Sequence, residues 1–434
     1  MEWEAIGIIL FITFFVLLAL GIPVAIAMIA SSIGVILIFL PSAAINQVVP
    51  IFFQQGTSFS LLTIPLFMLM AEIVKITGIT EELFSTMKKW FGHFPGGLGM
   101  ASVAACSMFG AVTGSSIATT VAIGSIAIPE MRKTGYNGTF ATAIIAAAGP
   151  LGTLIPPSNT GILYGVITET SIGKIFMASV IPGILLTVMF MAYIAVYALL
   201  RPEVAPSVPK SSWSERFNSL KNVTSIIALM ILVLGFIYLG VSTPSEAAAL
   251  GCIGAVFIAL FKRKLGLGMI KEIFTNIATS TSTIMMLIIG TYLIGYVLIY
   301  ADIATNITAG ILGFSKNKWV ILGGTYALFI LLGMFIDAMA IVCLVMPLLF
   351  PVFLSLSIDP VWLGVIVIVL SMIGFVSPPV GLSMYVASDY SKDIPIGNVM
   401  IAVLPFIGVM IIFLIVITIF PETIMWLPNH MRGF

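Results

Sequence analysis

The sequence predicts an all-α polytopic membrane protein built as two inverted-topology repeats, each of five spanning helices, one of them broken, and a re-entrant hairpin. Three observations predict the repeats and the membrane class. Of 434 residues, 60% are hydrophobic and only 8% charged, with a mean hydropathy of +1.21; a soluble chain would carry about 25% charged residues. A helix-breaking run, Gly149-Pro150-Leu151-Gly152-Thr153-Leu154-Ile155-Pro156-Pro157-Ser158-Asn159, interrupts a stretch otherwise fit to cross a bilayer. Finally, Gly374-Phe375-Val376-Ser377-Pro378-Pro379-Val380-Gly381 repeats the Gly-x-x-x-Pro-Pro core 222 residues further on. The same offset takes Ser60 to Ser282, Ser115 to Asp337 and Pro129 to Pro351. A one-residue slip takes Pro23 to Pro244 and Pro182 to Pro405. A register held this far along the chain is a duplication.

Proline removes a backbone donor and crowds the preceding turn, so each run should open its helix. Opened backbone at membrane depth survives only when it is buried in protein or lines a wet cavity. A structural kink is the bland alternative, but a kink needs one proline and the first run holds three. Broken helices in corresponding halves point to a transporter's binding site.

In chain order, the first repeat occupies residues 1–200. Ile6 to Leu20 and Pro23 to Leu40 are apolar spans, and Val48 to Ile76 is a third, rich in Gln, Ser and Thr. Such polar density marks a helix that faces other helices. Thr80 to His93 sets Glu81, Glu82, Lys88 and Lys89 among Leu83, Phe84, Met87 and Trp90, the pattern of an amphipathic arm. Residues 98–131 form two apolar arms of small residues, each too short to cross about 30 Å of hydrocarbon. They read as a re-entrant hairpin with Gly114, Ser115, Ser116, Thr119 and Thr120 at its tip; a single helix with a small-residue packing face is the alternative. The broken helix follows at 138–168, then a polar stretch, then a span from Ala178 to Leu200. Residues 201–221, rich in Pro and Ser, read as a cytoplasmic linker.

The second repeat, 222–434, follows the same plan. Spans run from Val223 to Leu239, Pro244 to Phe261 and about Ile273 to Tyr300. A hairpin at 320–356 turns at Gly333 to Ala338, a broken helix occupies 361–390, and Val399 to Phe420 is the last span. Five crossings plus one hairpin per half is an odd number, so the halves point in opposite directions. With both termini outside, fourteen of the 18 Lys and Arg residues fall on the cytoplasmic side. The first hairpin then enters from the cytoplasm and the second from outside, so their tips meet near the midplane.

Several function classes are excluded. A net charge of +1 gives no reason to expect a nucleic-acid partner. Cys106, Cys252 and Cys343 lie in apolar segments without metal-ligand spacing and read as small core residues. Met1-Glu2-Trp3-Glu4 is acidic, unlike the start of a cleavable signal. No nucleotide-binding Gly-x-x-x-x-Gly-Lys-Ser/Thr motif and no nucleophile–base set is present, so the chain reads as a secondary transporter and not an enzyme.

The breaks and tips offer hard oxygen donors: hydroxyls of Ser115, Ser116, Thr153 and Ser158 in one half, and Asp337, Ser377 and the carbonyls near Gly374 and Val380 in the other. Mostly neutral oxygens suit Na⁺ or a proton better than a transition metal. Half-helix N-termini can receive an anionic group. An intramembrane carboxylate is expensive and usually functional, which singles out Asp337; its alternative role is an N-cap at the turn.

Gly114-Ser115-Ser116-Ile117-Ala118-Thr119-Thr120, Ile128-Pro129-Glu130-Met131 and the two helix breaks together resemble the large membrane (M, DctM-like) subunit of TRAP, or tripartite ATP-independent periplasmic, transporters. The resemblance covers essentially the whole chain. It implies an elevator-type fold of the ion-transporter superfamily, with a fixed scaffold and a mobile domain holding both hairpins, and Na⁺-driven import of an organic acid across the bacterial inner membrane. It implies two partners, a small four-helix membrane subunit and a soluble periplasmic binding protein. It further implies one Na⁺ site between Ser115, Ser116 and the Gly152, Thr153, Ser158, Asn159 break. A second would join Gly333 and Asp337 to Gly374, Ser377 and Val380. Substrate would lie between the tips, near Ser116, Thr119, Pro157, Asn159, Asp337 and Pro379. A stand-alone Na⁺- or H⁺-coupled carboxylate symporter or antiporter remains the alternative.

Overall fold

The computed structural model describes residues 3–264 and 266–431. Met1, Glu2 and Arg432, used above for the N-terminal charge and the charge asymmetry, lie outside them. The described residues form helices and no strands. The first half holds α1 (Trp3–Ala19), α2 (Val24–Phe39), α3 (Val48–Gly56), α4 (Thr63–Lys75), α5 (Ile79–Phe91), α6 (Gly97–Thr113), α7 (Ser116–Lys133), α8 (Gly138–Ala148), α9 (Leu151–Leu154), α10 (Asn159–Ile167) and α11 (Ile172–Leu200). The second holds α12 (Trp213–Tyr238), α13 (Pro244–Phe261), α14 (Leu267–Tyr300), α15 (Ile303–Phe314), α16 (Lys318–Gly333), α17 (Ala338–Ser355), α18 (Pro360–Val376), α19 (Leu382–Ser388), α20 (Ile396–Ile419) and α21 (Glu422–Asn429). Among the described residues six helices are long and apolar enough to cross a membrane, or eight if each of two bent pairs counts as one span.

Local chemistry sets most boundaries. Ser115, Asn137 and Ser158 each occupy an N-cap and accept a backbone N–H three residues on, so α7, α8 and α10 start where they do. Asp359 caps α18, with Pro360 at the first helical position. The helix starts also keep the sequence offset: α7 and α17 begin at 116 and 338, α8 and α18 at 138 and 360, each 222 residues apart.

Four elements differ from the sequence expectation. The third span, expected to run unbroken from Val48 to Ile76, bends by 48° between α3 and the short turn that leads into α4. Gly56 weakens the helix there, and the Thr57 hydroxyl donates back to the Phe53 carbonyl at 2.9 Å. The connector 201–221 is non-helical only to Ser212, because a Ser212–Glu215 capping box starts α12 at Trp213. The polar stretch after the first broken helix ends early, since Ser171 caps α11 at Ile172. Finally, α21 follows the expected last span; it packs on α11 and buries Ile424.

The amphipathic arm forms as α5, which buries Ile79, Leu83 and Met87 and packs between α6 and α12. Its charges reach outward to two other elements: Lys88 pairs with Glu130 of α7 at 2.5 Å, and Glu82 pairs with Lys262 after α13.

A bidentate pair joins the last turn of α7 to the loop after α19, Arg132 Nη1 and Nη2 donating to Asp393 Oδ1 and Oδ2 at 2.9 and 2.7 Å. The guanidinium holds the Asp393 carboxyl below its ordinary value. A depressed carboxyl stabilises the fold above its unfolded pKa, and that contribution disappears as pH falls through the folded pKa. The pair is exposed and screened, so its contribution is small. Arg132→Gln should lower the melting temperature slightly at neutral pH, less at high salt, and not at all once Asp393 is protonated. A melting curve at two pH values and two salt concentrations checks this.

Candidate functional site

Each hairpin tip is pressed onto the break of its own half. In the first half α6 ends at Gly114, whose φ of +60° is a left-handed conformation that suits glycine. A Cβ there would also stand 2.6 Å from the Pro157 carbonyl oxygen, so the tip can close on the break only without a side chain. Asn159 N–H then donates to the Gly114 carbonyl at 3.3 Å. In the second half the contact is backbone to backbone: a Cβ on Gly333 would stand 2.6 Å from Gly374 Cα.

The first break is narrower than the sequence suggested. Gly149-Pro150 does not open the helix; α8 continues through Pro150 into α9, and the backbone leaves the helix only at Ile155. The chain bends by 43° there before α10 begins. Proline 150 cannot donate to the Ala146 carbonyl, and the Ser383 hydroxyl of α19 donates to it instead, at 2.6 Å. A donor from the other half thus replaces the lost helical bond. Thr120 of α7 lies 3.4 Å from the same hydroxyl. The opposite half shows a counterpart packing: α7 packs on α19, and α17 packs on α10. Tyr164 of α10 is buried against Gly364 and donates to the Pro360 carbonyl at 2.7 Å, tying α10 to α18.

The residues nominated from sequence divide into committed and open groups. Thr153 donates to the Pro150 carbonyl at 2.8 Å, Ser158 to the Thr153 carbonyl, and Ser377 to the Ile373 carbonyl at 2.7 Å. Their protons are spent, yet each hydroxyl oxygen keeps lone-pair capacity for a cation. The Ser115 carbonyl comes within 2.9 Å of where a Gly152 Cβ would be, so it faces the break. Thr119 is fully buried, 3.0 Å from the Thr113 hydroxyl and against the Gly152 backbone; it supports the tip from behind. Pro157 is buried, whereas Pro379 is exposed and Val380 half-buried.

The open groups are the informative ones. Asn159 is only 6% exposed, and its side-chain amide makes no hydrogen bond among the described residues. Ser116 is 7% exposed, and its hydroxyl makes no hydrogen bond among the described residues either. At the second tip, Asp337 Oδ2 caps α17 by accepting from Met339 N–H at 3.0 Å, while Oδ1 has no protein partner among the described residues. Asp337 is therefore an N-cap, and it also has a free carboxylate oxygen. The two clusters are joined through α18, which packs on α9 and α10 and on α16. No group of three or more His, Cys, Asp or Glu residues is arranged to hold a metal among the described residues.

Comparisons with known proteins agree with this architecture. The family described as "Tripartite ATP-independent periplasmic transporter, DctM component" matches residues 11–423. The C4-dicarboxylate TRAP transporter large permease protein DctM of Pseudomonas aeruginosa is 35% identical over 395 residues, covering 91% of this chain and 92% of that protein. The isethionate TRAP transporter permease protein DctMQ of Oleidesulfovibrio alaskensis is 34% identical over 423 residues, covering 95% of this chain and 65% of that longer protein. Among solved structures, the YdaH transporter of Alcanivorax borkumensis superposes with a TM-score of 0.63 at 15% identity, over 88% of this chain and 90% of that one, and so shares the fold.

Proposed function

Since the chain belongs to the DctM family of tripartite ATP-independent periplasmic transporters, we propose that it imports an organic acid anion by Na⁺ symport, with the solute held between the two hairpin tips. The observation that carries this reading is the set of unpaired polar groups at the tips: the Asn159 amide, the Ser116 hydroxyl and Asp337 Oδ1. None of the three bonds to the protein among the described residues, so each is free to pair with a bound ion or solute. Sodium would take Asp337 Oδ1 and backbone carbonyls at one tip, and hydroxyls and carbonyls around Ser115 and the Gly152 to Asn159 break at the other. The relatives' names, which include C4-dicarboxylate, isethionate and ectoine, support a small organic acid that is a carboxylate, a sulfonate or a zwitterion.

In this reading both hairpins and both broken helices move as one body, while α2 and α13 stay fixed. The packing of α7 on α19 and of α17 on α10 supports a single body, because each hairpin lies against the broken helix of the other half. The chain would work beside a small membrane subunit and a soluble binding protein, in the inner membrane with both termini outside. The name DctMQ and the extra length of that relative are consistent with a second membrane part.

The test is uptake in proteoliposomes containing the chain, its small subunit and its binding protein. We expect uptake driven by an inward sodium gradient and lost in choline. Equal uptake in both, following a pH gradient, would defeat the sodium reading. A disulfide between Ser116→Cys and a cysteine in α13 should stop transport; unaffected uptake with crosslinks at many heights would defeat the moving-body reading.

A further inference from the structure

An apolar cavity of about 370 Å³ lies on the seam between the body proposed to move and the helices proposed to stay fixed. Its walls are α14 from Thr291 to Ile299, α17 from Met346 to Pro351, Ile51 of α3 and Ile167 of α10. α14 packs on α2 and α3, whereas α10 packs on α17, so the cavity has a wall on each side of the seam. Along α17 it begins eight residues from the tip at Ala338 and ends at thirteen, or about 12 to 20 Å at 1.5 Å per residue. With the tip near the midplane and a hydrocarbon half-thickness of about 15 Å, this is the depth at which the acyl chains of outer-leaflet lipids begin.

Two independent features say what fills it. The first is the chemistry of the wall. No charged residue lines the cavity among the described residues. Each hydroxyl in the wall is already engaged: Thr291 donates to the Leu287 carbonyl at 2.8 Å, Tyr292 to Val166 at 3.2 Å and Tyr296 to Ala44 at 3.3 Å. These side chains offer an ion or a polar solute little to replace its water, so hydrocarbon is the matching occupant. The second is Gly295. It is half-buried on α14, yet a Cβ there would meet no heavy atom within 4 Å. Gly290 on the same helix is the opposite case, since its Cβ would stand 2.8 Å from Met28 Cβ of α2. One glycine brings α14 close to a fixed neighbour, and the other keeps a space open inside a helix that alanine would favour.

The mouth and the size narrow the choice. Ile299, 73% exposed on the last turn of α14, is the one exposed residue of the lining, and Phe52 and Phe53 beside Ile51 are exposed on α3. The cavity therefore opens onto the apolar surface that these helices turn to the bilayer. A partner helix is too large for it, because a single turn about 10 Å wide and 5.4 Å tall would alone occupy roughly 400 Å³. An extended acyl chain is narrower, and every bilayer supplies one at this depth. An unfilled void forfeits dispersion contacts along its walls, and a chain that enters regains them. The chain leaves hydrocarbon for hydrocarbon, so this packing gain sets the affinity.

We propose that this cavity binds an acyl chain of an outer-leaflet phospholipid, without selecting its headgroup. The chain touches α14 on one side and α10 and α17 on the other. Those contacts cannot all persist when the hairpin body shifts, so an occupied cavity favours the arrangement seen here over any other. This consequence for transport rests on the moving-body reading, whereas the site itself does not.

The experiment uses the full chain with its small subunit in phosphatidylcholine nanodiscs that contain a fraction of phosphatidylcholine with a diazirine midway along one acyl chain. After irradiation, adducts are mapped by mass spectrometry and counted relative to those on Phe257 of α13, which is exposed. We expect adducts on Tyr292 and Phe350, both in the cavity wall, and equal labelling when phosphatidylglycerol carries the diazirine. Gly295→Leu places a side chain in the space and should cut the Tyr292 and Phe350 adducts about tenfold, as crowding a filled space does, with those on Phe257 unchanged. Gly295→Ala is smaller and suits a helix better, so it should cut them about twofold, and it carries the test if the leucine variant does not fold. No adducts at Tyr292 and Phe350, adducts indifferent to both substitutions, or labelling by one headgroup alone overturns the site. Uptake in proteoliposomes tests the consequence separately. Leucine at 295 fills the seam permanently, so uptake should slow several-fold. Lost adducts with unchanged uptake retain the acyl-chain site and count against the moving body, whereas slowed uptake with unchanged adducts removes the site and leaves the importer standing.

Discussion

Asp337→Asn should raise the sodium concentration needed for half-maximal uptake by about tenfold or more, and Asp337→Ala should abolish uptake. The geometry separates the residue's two roles. Oδ2 caps α17 through Met339 N–H, and asparagine can make the same bond through its side-chain oxygen. Oδ1 is the oxygen left for a cation, and in Asn its counterpart is an amide nitrogen that cannot accept. The Asn variant thus keeps the helix start and removes the charge. Two unit charges 4 Å apart attract by about 4 kcal/mol at an effective dielectric of 20, so a tenfold shift, about 1.4 kcal/mol, is a conservative fraction of it. The Ala variant loses the cap as well, which costs about 1 kcal/mol of stability. A sodium titration of Asp337→Asn in proteoliposomes decides the matter. Normal sodium dependence would mean that capping is the whole role of Asp337.

Gly374→Val should give a protein that cannot dock its second hairpin, and Gly374→Ala a destabilised one. A Cβ on Gly374 would stand 2.5 Å from Gly333 Cα and 2.9 Å from Gly333 C, and backbone cannot swing aside as a side-chain end can. Overpacking of this kind costs about 1–3 kcal/mol for a small group, and a branched side chain must separate α16 from α18 altogether. Gly408 in α20 is the control, since a Cβ there meets no atom within 4 Å. Melting temperature and uptake should fall for Gly374→Ala and hold for Gly408→Ala. Equal behaviour of the two would show that the close approach of α16 and α18 is dispensable. Gly333→Ala and Gly374→Ala should not add when combined, because both act on one contact.

The sequence by itself determined the membrane class and the breaks at Pro156-Pro157 and Pro378-Pro379, and it offered the helix cap at Asp337 as the alternative to a functional carboxylate. Each of these rests on chemistry confined to a few neighbouring residues: hydropathy over a helix length, a missing backbone donor, a side chain that bonds its own next turn. What only the tertiary structure decided depends on groups far apart in the chain. Pro150 looks like a break until Ser383, 237 residues away, satisfies the carbonyl that the proline abandons. Thr119 looks like a tip residue, but Thr113 and the Gly152 backbone enclose it. Gly333 and Gly374 stand out in the sequence as cation-site candidates, but the close approach of their two backbones appears only in three dimensions. A backbone carbonyl or an amide needs a partner wherever it is buried, but nothing in its local sequence says which distant group will supply one or leave it open.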